Sequence, residues 1–160
     1  MRLLFYDSVS ALAKGESIRG AKSFASSEEY LRRHFGKKAL VPGVVHIEAM
    51  AQLLGWLVMH AHDFRVSAIM SLVEDVVVPP RLQPGVTVEI HGEIVSTSAR
   101  DSLGRAWMTL DGKTIATMNR IIYSHVRVAD PGVLLDLFCY YSGLDKAAVQ
   151  GLQPPGEVCP

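Results

Sequence analysis

Hydrophobic and polar positions change period several times along the 160-residue chain, and each change predicts an element. Two short apolar runs, residues 3–6 and 17–24, flank Lys14-Gly15-Glu16 and predict two strands joined by a turn. Ser26-Ser27-Glu28-Glu29 has the hydroxyl and acid content of a helix start, and Tyr30-Leu31 can cover a core from one short turn. Residues 32–41 are largely polar. Pro42-Gly43 then punctuates the chain, and a long apolar run follows at residues 44–59. On a helical wheel Val44, Ile47, Met50, Leu53, Leu57 and their neighbours leave no wide polar face, so a helix here must be wrapped on every side.

The wrapping comes downstream. Residues 68–78 are β-rich, and Val86, Val88, Ile90 and Ile94 alternate with Thr87, Glu89, His91 and Glu93, the period of a half-buried strand. Residues 106–110 and 114–128 flank Asp111-Gly112, a dipeptide whose tolerance of left-handed backbone suits a tight hairpin. The predicted class is α+β, a strongly curved antiparallel sheet around one long central helix. Past Asp130-Pro131 the pattern changes: residues 133–141 predict a short amphipathic helix, and Gln153-Pro154-Pro155-Gly156 a frayed tail. The division is a core domain over 1–130 and a C-terminal extension over 131–160, to which the sequence assigns no chemistry.

Composition narrows the function. The length suits one domain with a core of its own. Sixteen Lys plus Arg balance sixteen Asp plus Glu. A neutral chain lacks the overall positive field that draws a protein onto nucleic acid or anionic lipid, so neither partner is expected. Cys139 and Cys159 form no CxxC and have no spaced His beside them, which signals neither a disulfide framework nor a zinc site and suits a reducing compartment. Asp7 interrupts the N-terminal apolar residues too early for a secretory signal, so a cytoplasmic location is expected. The run over 44–59 is shorter than the roughly 20 residues that cross a bilayer and carries His46, Glu48 and Gln52, which predicts burial in protein.

Three features with chemical meaning then fall within nineteen residues, from His34 to Gln52. A carboxyl group on an otherwise apolar helix is costly to ionise, which suits Glu48 to donate a proton. Gln52, one turn on, can orient that carboxyl or hold a water. His34, in the polar segment before the helix, is a credible base at cellular pH. The Gly43 and Val44 amides open the helix, where the positive end of its dipole favours a developing oxyanion. Base, acid and oxyanion site together are what elimination of a β-hydroxyl from a thioester requires.

The pattern H-F-x6-P-G-V-x3-E-A-M-A-Q, read from His34 to Gln52, resembles the FabZ-type and, less closely, the FabA-type β-hydroxyacyl-acyl carrier protein dehydratases. The resemblance implies a hot-dog fold, with His34 as the catalytic histidine, Glu48 as the catalytic acid and Gly43 as donor to the thioester carbonyl. It further implies (3R)-3-hydroxyacyl thioester substrates, no cofactor and no metal, and a homodimer or larger assembly whose sites take the histidine from one chain and the acid from the other. Glu rather than Asp at position 48 is more like the FabZ branch, so double-bond isomerisation is not predicted. Gly36 and Ala39 stand where the family commonly has proline, which loosens the loop carrying His34.

Other residues invite competing readings. His46 in the first helical turn reads as a satisfied or interfacial imidazole, and His60-Ala61-His62-Asp63 as ordinary residues at a helix end rather than metal ligands. Trp56, Leu57 and Met59 read as core, with the alternative that some of them line an acyl tunnel. Arg32, Arg33, Lys37 and Lys38 bracket His34 with four positive charges, which read either as a merely solvated loop or as a docking patch for an acyl carrier protein or the phosphate of its pantetheine arm, with carrier protein and coenzyme A thioesters both open as substrates. Two rival functions stand beside the dehydratase: a hot-dog thioesterase, in which Glu48 activates water, and a catalytically silent acyl-binding partner subunit.

Overall fold

The computed structural model describes residues 4–31 and 39–151. His34, Gly36 and the basic cluster Arg32, Arg33, Lys37 and Lys38 lie outside the described residues, as do Cys159 and the predicted tail. Strands β1 (Ser8–Ala13), β2 (Ser17–Phe24), β3 (Val66–Val77), β4 (Val86–Thr97), β5 (Asp101–Leu110) and β6 (Lys113–Arg127) form one antiparallel sheet ordered β1-β2-β4-β5-β6-β3. Helix α1 (Gly43–Ala61) packs across it, against β2 through β6. This is the α+β sheet-on-helix architecture expected from the sequence.

Turn chemistry sets the register. Asp111 (φ 51°) and Gly112 (φ 75°) are both left-handed between the paired Leu110 and Lys113, the backbone of a two-residue hairpin. At the other edge Ala13 pairs with Ser17 around Gly15 (φ 72°), and the Glu16 amide donates to the Ala13 carbonyl at 3.1 Å. That turn lies where the sequence puts it, but the first strand does not. Pairing runs outward from the turn, so Ser8–Ala13 forms the strand and residues 4–7 form none. The apolar residues there serve packing: Tyr6 is fully buried and the Phe5 backbone is tied to α1. The short turn predicted at Tyr30-Leu31 is a 3-10 helix, Glu29–Leu31, that buries Leu31.

Leu53, Leu54, Leu57 and Val58 project from α1 into the concave sheet with no exposed surface. Each such side chain stabilises the fold by about 1.5–3 kcal/mol. The approach is close enough to demand glycine on β5, because a Cβ at Gly104 would sit 2.8 Å from Leu54 Cδ2 and 2.9 Å from the Glu93 carbonyl. Helix α1 meets the length and hydropathy of a membrane span, but 67% of its apolar window is buried inside the fold.

After β6 the chain forms α2 (Pro131–Ser142) and α3 (Lys146–Gly151). Asp130 caps α2 by accepting from the Gly132 amide at 2.9 Å, Pro131 occupies its first turn, and left-handed Gly143 ends it. Phe138 of α2 is fully buried and packs on Trp56 and Phe64 with ring centroids 5.3 and 5.6 Å away.

Candidate active site

Helical periodicity places Glu48, Gln52, Trp56 and Met59 along one stripe of α1, and all four are half-buried. They line a cavity of about 430 Å³ together with Ala68, Ile69 and Met70 of β3, Tyr123 of β6 and Tyr141 of α2. Its wall is mostly apolar, with the Glu48 carboxyl and the Gln52 amide as a polar group at one end. The side-chain Nε2 of Gln52 donates to Glu48 Oε1 at 2.7 Å, while its Oε1 accepts from the Phe5 amide at 2.9 Å. The orientation of Gln52 is therefore dictated by backbone, and it passes that constraint to Glu48. Tyr123 backs the site: its buried hydroxyl donates to the Ala51 carbonyl at 2.7 Å. Burial first, and the nearby Glu48 carboxylate second, hold that phenol well above the usual tyrosine range, so it keeps its proton.

The opening of α1 has a different character. Pro42 is its N-cap, in extended conformation and with no side-chain cap bond, and the first turn carries no acid. The first amides of a helix lack intrahelical partners, so Gly43 and Val44 present donors at the positive end of the dipole. A Cβ at Gly43 would meet Val78 Cγ2 at 3.0 Å, and the neighbouring Val41 amide bonds the Leu82 carbonyl at 2.9 Å. Val44 is 66% exposed. Neither Gly43 nor Val44 lines the cavity that holds Glu48. Within one protomer, then, the carboxyl end and the amide end of the predicted site face different spaces.

Lys22, only 5% exposed, donates to Asp7 at 3.1 Å and to Glu28 at 2.9 Å, joining β2 to the residues that precede β1 and to those that follow β2. His46 lies fully buried against Phe24, with Nδ1 3.1 Å from the Pro42 carbonyl. His60 contacts the Val149 carbonyl at 3.2 Å, whereas His62 bonds Thr97 at 2.8 Å and packs on the His125 ring. The two histidines at the helix end thus serve separate contacts.

Two readings of the sequence change. Leu57 is core, whereas Trp56 and Met59, which pack against the core, also border the cavity, because the 48-52-56-59 stripe of α1 leaves space between itself and β3 and β6. Tyr141 was not foreseen: nothing local in residues 133–141 says that the helix folds back onto α1. The one available hint is the aromatic density of Phe138, Tyr140 and Tyr141.

Comparison with known proteins follows the same line. The family model described as a FabA-like domain matches residues 1–119. A 3-hydroxyacyl-acyl-carrier-protein dehydratase FabZ of Novosphingobium aromaticivorans is 30% identical over 101 residues, 61% of this chain and 64% of that protein, so the match spans just under two thirds of that relative. The FabZ dehydratase of Clostridium botulinum strain Loch Maree is 26% identical over 114 residues, 71% of this chain and 79% of its own. Among solved structures, the dehydratase heterocomplex ApeI:P of Xenorhabdus doucetiae superposes with TM-score 0.62 at 13% identity, covering 84% of this chain and 89% of that chain. A Streptococcus mutans protein bound to acetyl CoA gives 0.61 at 13%, covering 79% and 94%, and a Haemophilus influenzae thioesterase 0.59 at 10%, covering 76% and 79%. At such identities the structural likenesses speak to the hot-dog fold alone.

Proposed function

Because the chain belongs to the FabA-like family, we propose that it removes water from (3R)-3-hydroxyacyl thioesters to give trans-2-enoyl thioesters. The observation that carries this reading is the Glu48 carboxyl, set at the polar end of an apolar cavity and fixed by a backbone-anchored Gln52. In the proposed reaction the His34 imidazole takes the α proton, and the C–H electron pair enters the enolate. The Gly43 and Val44 amides hold the negative charge that builds on the carbonyl oxygen. The enolate then reforms the carbonyl as the α,β double bond closes and the β C–O bond breaks. Glu48 supplies the proton with which the hydroxyl leaves as water.

Separation of Glu48 from Gly43 and Val44 within one protomer supports a site completed by a second copy. So does the edge strand β3, whose Ile69, Met70, Leu72 and Val77 are between 37% and 59% exposed. A long apolar edge is an invitation to pair, and Ile69 and Met70 also border the cavity. A homodimer joined along β3 would cover this edge beside the cavity that holds Glu48. The charge of the cluster Arg32, Arg33, Lys37 and Lys38, read from the sequence, suits the acidic surface of a carrier protein or the phosphates of coenzyme A.

The deciding experiment is turnover of 3-hydroxyacyl carrier-protein and coenzyme A thioesters, followed as enoyl absorbance and as free thiol, by the wild type and by His34→Ala. Enoyl product from the wild type and at least about a hundredfold less from His34→Ala is the expected result. Thiol release without enoyl product, unaffected by His34→Ala, would replace the proposal with a thioesterase. Thioester binding with neither product would replace it with a silent partner subunit.

A further inference from the structure

Helix α2 lies beyond the residues matched to the family, yet it supplies part of the wall of the Glu48 cavity. We infer that Tyr141, braced on Trp56, closes the far end of that cavity and limits the acyl chain to medium length. The inference rests on the reading of the cavity as an acyl site.

The cavity has two ends. Glu48 and Gln52 mark the polar one, where the reacting carbons would lie. Eight residues further along α1 stands Trp56, about 12 Å away at 1.5 Å of rise per residue, with Met59 one turn beyond it in the same wall. There the Tyr141 ring packs on the Trp56 indole with centroids 6.4 Å apart, tilted by 52°. Both side chains are half-buried and both border the cavity.

This barrier is built rather than incidental. Asp130 caps α2 and Gly143 ends it, so its length and register are fixed. Phe138, one turn before Tyr141, is fully buried between Trp56, Phe64 and His60 and bolts the helix to the end of α1. An ion pair between Lys146 and Asp136 ties α2 to α3. A tail that reached the Trp56–Tyr141 pair could go further only by displacing rings held from behind. Overfilling a packed apolar site is unfavourable, enough to discriminate about tenfold or more between chains that differ by a few methylenes.

The test compares kcat/KM for 3-hydroxybutanoyl, -octanoyl, -dodecanoyl and -hexadecanoyl thioesters in the wild type, Tyr141→Ala, Tyr141→Leu and Tyr141→Phe. The wild type is expected to favour octanoyl and to fall sharply at dodecanoyl. Tyr141→Ala should raise the dodecanoyl-to-butanoyl ratio by about tenfold or more, Tyr141→Leu should do so partially, and Tyr141→Phe should keep the wild-type profile because the ring is what blocks. Should the alanine variant fail to fold, the leucine variant carries the comparison. Active variants with an unchanged ratio would overturn the inference. If no variant dehydrates anything, equilibrium binding of the same saturated acyl thioesters decides. A length limit that moves in Tyr141→Ala supports the barrier and discards only the dehydratase reading, whereas a limit that does not move, or no binding, discards the barrier.

Discussion

Two faces of one helix follow different rules. Toward the sheet, α1 presents Leu53, Leu54, Leu57 and Val58, all without exposed surface, and Gly104 has given up its side chain to let Leu54 in. Toward the cavity it presents Glu48, Gln52, Trp56 and Met59, all half-buried, with a carboxyl and an amide among them. On the first face every methyl group is used for cohesion. On the second, space is left unfilled and a carboxyl group is held where an apolar residue would pack better. A helix that served stability alone would have no reason for that second face, so the contrast separates the residues that hold the fold from those that the proposed function assigns to a ligand.

The sharpest way to break the contrast is to exchange its consequences. Glu48→Gln keeps the size of the side chain and its place beside Gln52, so dehydration should fall by about 10²–10⁴-fold while the denaturation midpoint stays close to that of the wild type. Turnover by Glu48→Gln within tenfold of the wild type, measured as enoyl absorbance, would remove the carboxyl from the chemistry. The opposite pattern is expected across the helix. Leu54→Ala should lower the unfolding free energy by about 2–5 kcal/mol, and Gly104→Ala, which crowds the same leucine, by about 1–3 kcal/mol, both in urea titrations. The fraction that remains folded should retain the wild-type kcat. A loss of kcat in folded Leu54→Ala, larger than any produced by Glu48→Gln, would mean that the two faces cannot be assigned separate duties.

How much of this was legible in the sequence depends on the range of the interaction. Glu48 and Gln52 are four residues apart, so their hydrogen bond follows from helical geometry alone, and Asp111-Gly112 names its own turn. The wheel over residues 44–59 predicts a helix that other elements must cover, but apolar residues on every side hid which face would meet the cavity. That is why Trp56 and Met59 read as core beside Leu57. Residues 3–6 read as a strand because apolar content resembles strand content; in the fold Tyr6 fills the core and the Phe5 amide braces Gln52, an interaction across forty-seven positions that no local period encodes. Tyr141 was invisible for the same reason. Its meaning lies in the Trp56 ring, and the two are brought together by the packing of Phe138.

The smallest effect concerns protons on the cohesive side of the molecule. His46 and His60 are 0% and 3% exposed, and each has one ring nitrogen against a backbone carbonyl, of Pro42 and Val149. The other nitrogens, His46 Nε2 and His60 Nδ1, are buried with no hydrogen-bond partner among the described residues. A neutral imidazole fits this arrangement, since it donates one N–H to the carbonyl and buries only a lone pair. A second proton would bury a charge and an unanswered donor. Burial accordingly lowers both pKa values from the usual histidine range, against the opposing pull of the carbonyls. The unfolded chain takes up these protons at about pH 6.5, while the folded chain resists until the pH is lower. Over that interval the unfolded state binds more protons, so stability rises with pH. It is fully present above the unfolded pKa and drains away as the pH falls below it. The urea midpoint should therefore decline between pH 8 and pH 5, and His46→Phe, which keeps the ring against Phe24, should flatten part of that decline. An equal slope in both proteins would show that the buried imidazole contributes nothing to the acid sensitivity of this face.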